Sequence, residues 1–229
     1  MLLAVDTSTP QIGLALYDGA QVLAESIWIS KGRHSQELAP GVVYMLERIG
    51  ASIDQVKALA VALGPGSFTA LRVGLSFVKG LALANSLPVI GINTLDVIAA
   101  SQALNPSQPL VCVLPAGRGR LAVGWYAWQN TSENHWSSSN KAVIMTAEAL
   151  AQSITRECVV CGDLAPIERQ LLMDNPHIGL VSPARATRRP ALLAELAFQR
   201  WQRGEVDDLS SLSPIYLHLA DPIPDFKPL

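Results

Sequence analysis

The order of its apolar runs constrains this chain more than any single motif. LLAVDTS, IGLALYDG and QVLAESIWIS open it, separated by Thr9-Pro10 and Asp18-Gly19. Both separators are turn signals, so a three-stranded antiparallel meander is predicted. The period then changes. In HSQELAPGVVYMLERIG, residues Leu38, Val42, Met45, Leu46 and Ile49 share one helical face, Pro40 fits only in the first turns, and Gly50 ends the helix. Ser52-Ile53-Asp54-Gln55 reads as a capping box, and ALAVAL as a strand covered on both faces. GPGSFTALRVG follows that strand directly, and the helical period runs from Phe68 to about Ala84. PVIGI is a further strand, followed by a helix capped by Thr94 and carrying Leu95, Val97, Ile98 and Leu104.

NPSQP, residues 105–109, breaks the pattern as a linker. Beyond it LVCVLP, RLAVGWYAW and KAVIMT repeat the strand-rich opening, with TSENHWSSSN as a loop between two of them. CVVCGD and HIGLVS lead to a last helix, ALLAELAFQRWQR, ending at Gly204; the tail with Pro214, Pro222, Pro224 and Pro228 leaves the fold. The expected architecture is therefore a mixed-sheet α/β duplication. An N-terminal lobe spans residues 1–104, and a smaller second lobe, residues 105–229, takes the C-terminal helix and tail. Such folds hold ligands between their lobes.

Composition agrees with a packed protein, since 229 residues with 49% hydrophobic and 16% charged side chains can bury a substantial core. No apolar run approaches the ~20 residues of a membrane span, and MLLAVDTSTP lacks a basic start, so a cytoplasmic protein is expected. Three cysteines argue against a disulfide framework, leaving Asn130-Thr131-Ser132 only a formal glycosylation signal. A net charge of −2 gives no field for nucleic acid. The one basic concentration, Arg185, Arg188, Arg189, Arg200 and Arg203, reads as a solvated helix face.

Catalytic chemistry finds little footing. Gly64-Pro65-Gly66 has neither the Lys of a P-loop nor the third glycine of a dinucleotide fingerprint, and Thr69 stands where the latter would be. A tight turn capped by Ser67 is expected there, although free amides at Phe68 and Thr69 could attract an anion. Asp6, Thr7, Ser8 and Thr9 could hold magnesium and phosphate together with Gly64 and Gly66, or could form an Asx-type turn; sequence leaves both open. His34, His135, His177 and His218 are scattered, so no metal ligand set is expected. Cys158 and Cys161 lie in a β-type run, where a separation of three sends them to opposite faces as a buried structural pair. No nucleophile elbow occurs, and neither a catalytic residue nor a cofactor is predicted.

The helix from Phe68 is the more informative element. Leu71, Leu75, Val78 and Ala82 form a stripe for the sheet, while Val73, Phe77, Leu81 and Ala84 form a second one that either the second lobe or a partner would cover. Gly74 and Gly80 would let another helix approach.

LLAVDTSTPQIGLALYDG, HSQELAP, ALGPGSFTALRVGLSFVKGLALANSLPVIGINTL and a late SPIYL together resemble the TsaB (YeaZ) family, strongly to about Ala100 and thinly beyond. The resemblance implies the two ribonuclease H-like lobes of the acetate and sugar kinase, Hsp70 and actin (ASKHA) fold. It also implies a non-catalytic subunit that pairs with TsaD, the enzyme transferring threonylcarbamoyl to N6 of adenosine 37 in tRNAs reading ANN codons. TsaD carries a His-x-x-x-His metal pair where this chain has Thr94 and Ile98. Further implied partners are the TsaE ATPase on the complex, tRNA indirectly, and a second copy when TsaD is absent. Pairing is expected through the helices at about 35–50 and 68–85, with Val42, Met45, Leu46, Ile49, Leu71, Arg72, Leu75, Val78, Lys79 and Ala82 at the contact. Leu75→Glu or Val78→Glu would then abolish it. The rival is an ASKHA phosphotransferase or ATPase acting alone through Asp6. The chain departs from the family at Ala70, at Pro115-Ala116-Gly117 and at His218.

Overall fold

The computed structural model describes residues 1–102, 108–130 and 135–217. Leu104, most of the linker, Asn-Thr-Ser beyond Asn130, His218 and the last three prolines lie outside these residues. The first sheet contains β1 (Leu2–Asp6), β2 (Gln11–Tyr17) and β3 (Val22–Ile29) as the expected antiparallel meander. Helix α1 (His34–Arg48), a short 3-10 turn at Ile53–Gln55 and β4 (Ala58–Ala62) follow. Helix α2 (Phe68–Asn85) leads to β5 (Val89–Ile92), and the strand order is β3-β2-β1-β4-β5 with β1, β4 and β5 parallel.

Helix α3 (Thr94–Ala100) connects to the second sheet: β6 (Leu110–Gly117), β7 (Arg120–Gln129), β8 (His135–Ser138) and β9 (Val143–Met145). Helix α4 (Ala147–Ser153), β10 (Cys158–Gly162), α5 (Pro166–Met173), β11 (Ile178–Leu180) and α6 (Pro183–Ala186) complete it, before α7 (Pro190–Gln202). Its order is β11-β10-β6-β7-β8, with β9 paired to the first half of β7. The duplicated plan is visible in the pairings: β6 takes β7 antiparallel and β10 parallel, as β1 takes β2 and β4.

Every residue of β1, β4 and β5 is buried, and the reason is that helices cover both faces of the first sheet. On one side Leu3, Val5, Ile12 and Leu14 meet Leu38, Val42 and Met45 of α1 and Leu75 and Val78 of α2. On the other, Ala4, Ala15, Ala58 and Ala60 form a shallow surface on which Leu193, Ala194 and Ala197 of α7 rest. Each large aliphatic side chain so buried contributes roughly 1.5–3 kcal/mol. The second sheet is layered likewise, with Leu95 and Ile98 of α3 on one face and Leu150 of α4 and Leu172 of α5 on the other.

Four expectations are corrected. The last helix, assigned from its position to the second lobe, packs on the first sheet, where its small-residue stripe lies against the alanine-rich face. The tail does not leave at once: the Ile215 amide donates to the Leu63 carbonyl at 2.7 Å and Leu212 is buried in the first core. His135–Ser138, read as loop, is a strand in which Trp136 stands opposite Trp128. The cap of α3 is Asn93, whose side chain accepts from the Leu95 amide at 2.8 Å, and not Thr94.

Candidate functional site

The polar loop after β1 is built by its neighbours. Asp6 Oδ1 accepts from the Ser8 amide at 2.8 Å, an Asx-type closure. Thr7 Oγ1 donates to the Ala70 carbonyl at 2.7 Å, and the Ser8 and Thr94 hydroxyls bond at 2.8 Å. The Gly-Pro-Gly turn lies directly on this loop. A Cβ at Gly66 would overlap the Ser8 carbonyl oxygen, and one at Gly74 would overlap Thr7 Oγ1. Gly64, at φ +103°, takes a conformation that side chains rarely adopt and donates its amide to Thr94 Oγ1 at 3.0 Å. Ser67 sits at the N-cap of α2, yet its hydroxyl makes no cap bond; its amide donates instead to the Ser8 carbonyl at 2.7 Å. Gly74 therefore seats this loop, which corrects its assignment to an incoming helix.

At the centre stands Arg188, a residue that sequence reading placed on a solvated helix face. It is 1% exposed. Its Nε donates to Asp6 Oδ2 at 3.0 Å, Nη2 to Thr9 Oγ1 at 2.7 Å, and Nη1 to Asp163, which follows β10 in the second sheet. Burial works against the guanidinium charge, but the Asp6 and Asp163 carboxylates outweigh it and hold the group ionised above its ordinary range. The Asp6 and Asp163 carboxylates and the Thr7, Ser8, Thr9 and Thr94 hydroxyls thus each have a partner inside the chain, and the position a cation would take beside Asp6 is filled by a guanidinium. No signal in the sequence separates Arg188 from Arg189, which is largely exposed and pairs with Glu25.

The cysteines behave as expected of structural residues. Cys158 packs with α4 and α5, whereas Cys161 packs with α3 on the opposite face. Burial raises the Cys158 thiol to about 11 and the Cys161 thiol to about 12, so neither is a thiolate near neutrality. Among the described residues no group of three His, Cys, Asp or Glu could hold a metal ion.

The helix pair requires the main correction. Val42, Met45, Leu46, Leu71, Leu75, Val78 and Ala82, all expected at a partner contact, are buried in the chain's own core, and Ile49 packs against it. The stripe with the strongest helical period is the one the sheet claims first. Glutamate at Leu75 or Val78 would consequently put a charge into the core. Val73, Phe77 and Leu81 of the second stripe are partly covered by the same core, and Lys79 is half-buried. What remains outside is a different set. Leu83 is 74% exposed, Phe68 54% and Val43 53%, with Thr69, Ser76 and Gly80 exposed on the same helix α2. A groove lined by Ser35 and Leu38 of α1 and by Thr69, Val73, Ser76 and Phe77 of α2 runs between the helices. At its rim the Arg72 guanidinium lies 3.7 Å over the Phe68 ring and donates to the Tyr216 hydroxyl at 2.9 Å.

The TsaB "tRNA threonylcarbamoyladenosine biosynthesis protein" of Escherichia coli is 28% identical over 227 residues, covering 94% of each chain. Its Bacillus subtilis namesake is 27% identical over 224 residues, 96% of this chain and 95% of that one. The family described as "TsaD: tRNA N6-adenosine threonylcarbamoyltransferase" matches residues 21–211. The chain belongs to this family, in its TsaB (YeaZ) branch. The crystal structure of YeaZ from Pseudomonas aeruginosa superposes with a TM-score of 0.76 at 25% identity, over 94% of this chain and 99% of that one. The two sheets accordingly form the two lobes of the ASKHA fold named in the sequence reading. No helix among the described residues is long and apolar enough to cross a membrane.

Proposed function

We propose that this chain acts in tRNA threonylcarbamoyladenosine biosynthesis as a non-catalytic subunit that pairs with a TsaD-type transferase and supports transfer to N6 of adenosine 37 in tRNAs reading ANN codons. The names of the E. coli and B. subtilis relatives, tRNA threonylcarbamoyladenosine biosynthesis proteins, support the pathway. The observation that carries the pairing is the outer face of α1 and α2, where Val43, Phe68 and Leu83 remain more than half exposed although the helices' inner stripes are fully packed. Apolar side chains held in water on two adjacent helices favour association. A second copy of the chain would use the same face when TsaD is absent, TsaE docks on the pair, and tRNA is reached through it, in the cytoplasm. The non-catalytic half of the reading is supported by Arg188, whose buried guanidinium pairs with Asp6, the carboxylate on which the phosphotransferase alternative depends, and with Asp163.

The test replaces exposed rather than buried residues. Leu83→Glu and Val43→Glu should fold with unchanged circular dichroism and thermal midpoint, because neither side chain contributes to the core, and should lose co-elution with the TsaD-type protein of the same organism in size-exclusion chromatography. Retained co-elution by the double variant overturns the assignment of the face.

A further inference from the structure

On the side of the molecule where α7 and α3 meet the end of the second sheet lies a cavity of about 740 Å³, within the range of small-molecule sites. It shares no residue with α1 or α2. Leu192 and Leu196 of α7, Ile92 at the end of β5 and Ala100 of α3 form apolar walls, and Trp128 and Trp136 close it from the second sheet. The two indoles meet edge to face, 5.5 Å between centroids. Two polar features stand out in its lining. The Trp136 indole N–H is buried and, among the described residues, has no partner. Asp96 lines the same space with one carboxylate oxygen held by the Tyr126 hydroxyl at 2.7 Å, and burial raises the pKa of its carboxyl. Glu195 adds a second carboxylate. Two arginines line it as well: Arg200 donates to the Gly91 carbonyl at 2.7 Å and pairs with Glu205 and Asp207, and Arg203 pairs with Glu205. Carboxylates facing the space and arginines tied by acids make a poor site for phosphate. They suit a flat, uncharged ring with both donors and acceptors.

We propose that this interlobe cleft binds a nucleobase, presented by a free nucleoside or by single-stranded RNA, lying against the tryptophan pair with its exocyclic amine toward Asp96. Aromatic stacking supplies affinity for any base face, and a carboxylate facing an amine selects among bases. Neither the pairing face nor the relatives' function is needed for this site.

The experiment titrates the full chain with adenosine, uridine, AMP and an oligoadenylate, following tryptophan fluorescence and isothermal heat. Saturable adenosine binding is expected, stronger than for uridine, which lacks an exocyclic amine, and stronger than for AMP, whose phosphate adds negative charge to a space already lined by Glu195 and Asp96. Trp136→Ala should weaken it roughly ten-fold. Asp96→Asn, a change too small to threaten folding, should reduce the preference for adenosine over uridine. Tighter binding of the oligoadenylate with the same Trp136 dependence assigns the base to RNA; adenosine binding without it assigns a free nucleoside. Absence of saturable adenosine binding at millimolar concentration, or binding unchanged in folded Trp136→Phe, Trp136→Ala and Asp96→Asn chains, overturns the proposal.

Discussion

Arg188 is the residue on which the polar interior depends. A guanidinium at 1% exposure, bonded to Asp6, Thr9 and Asp163, is tolerable only because each of its bonds ends on an acceptor. Removing it leaves the Asp6 carboxylate 3% exposed with no counter-charge. Arg188→Ala should therefore cost about 3–5 kcal/mol, measured as a lowered urea midpoint at neutral pH. Arg189→Ala, one position on and largely exposed, should cost less than about 1 kcal/mol. The glycines of the opening turn follow the same logic of contact: Gly66 and Gly74 are required where backbone and hydroxyl of the loop after β1 press on them, whereas Gly80 meets nothing within 4 Å. Composition could not make that distinction, because a glycine's neighbours belong to a distant part of the chain.

At the scale of elements, α2 carries two surfaces with different work. Its inner stripe is legible from sequence, since residues three and four apart share a face whatever they pack on. Which of the remaining positions stay in water depends on how far α1 overlaps it, and this is why the apolar residues first expected at a contact belong to the core while Arg72 stays exposed. Gly80 isolates the outer surface cleanly. Glycine in a helix interior is destabilising by roughly 0.5–1 kcal/mol relative to alanine. With open space around it, Gly80→Ala should stabilise the isolated chain by about that amount while weakening its pairing with the TsaD-type protein, because the added methyl stands on the exposed face. Chemical unfolding and a binding titration on the same sample would show the two effects with opposite sign; a gain in both would place Gly80 outside the contact.

For the whole molecule, the chain crosses between lobes more than once. The first sheet is made by residues before 93, yet the helix that covers its alanine face comes from Pro190–Gln202, and Asp207 and Ile215 return to bond β5 and the end of β4. A fragment of residues 1–102 should therefore fail to fold alone, with poor amide dispersion by NMR, as one full face of its sheet would meet water. The order of strands and helices from β1 to α3, the core stripes, the opposite-facing cysteines and the family motif around Gly64 were determined by sequence, because backbone periodicity and turn chemistry act over a few residues; the strand at His135–Ser138 and the short helices α4, α5 and α6 were not. Tertiary structure alone decided the burial of Arg188, the return of α7, the residues left exposed on the helix pair and the cleft beside Trp136. Those depend on contacts such as Arg188 with Asp6, 182 positions apart, and separations of that size are set by the path of the chain and carry no local period.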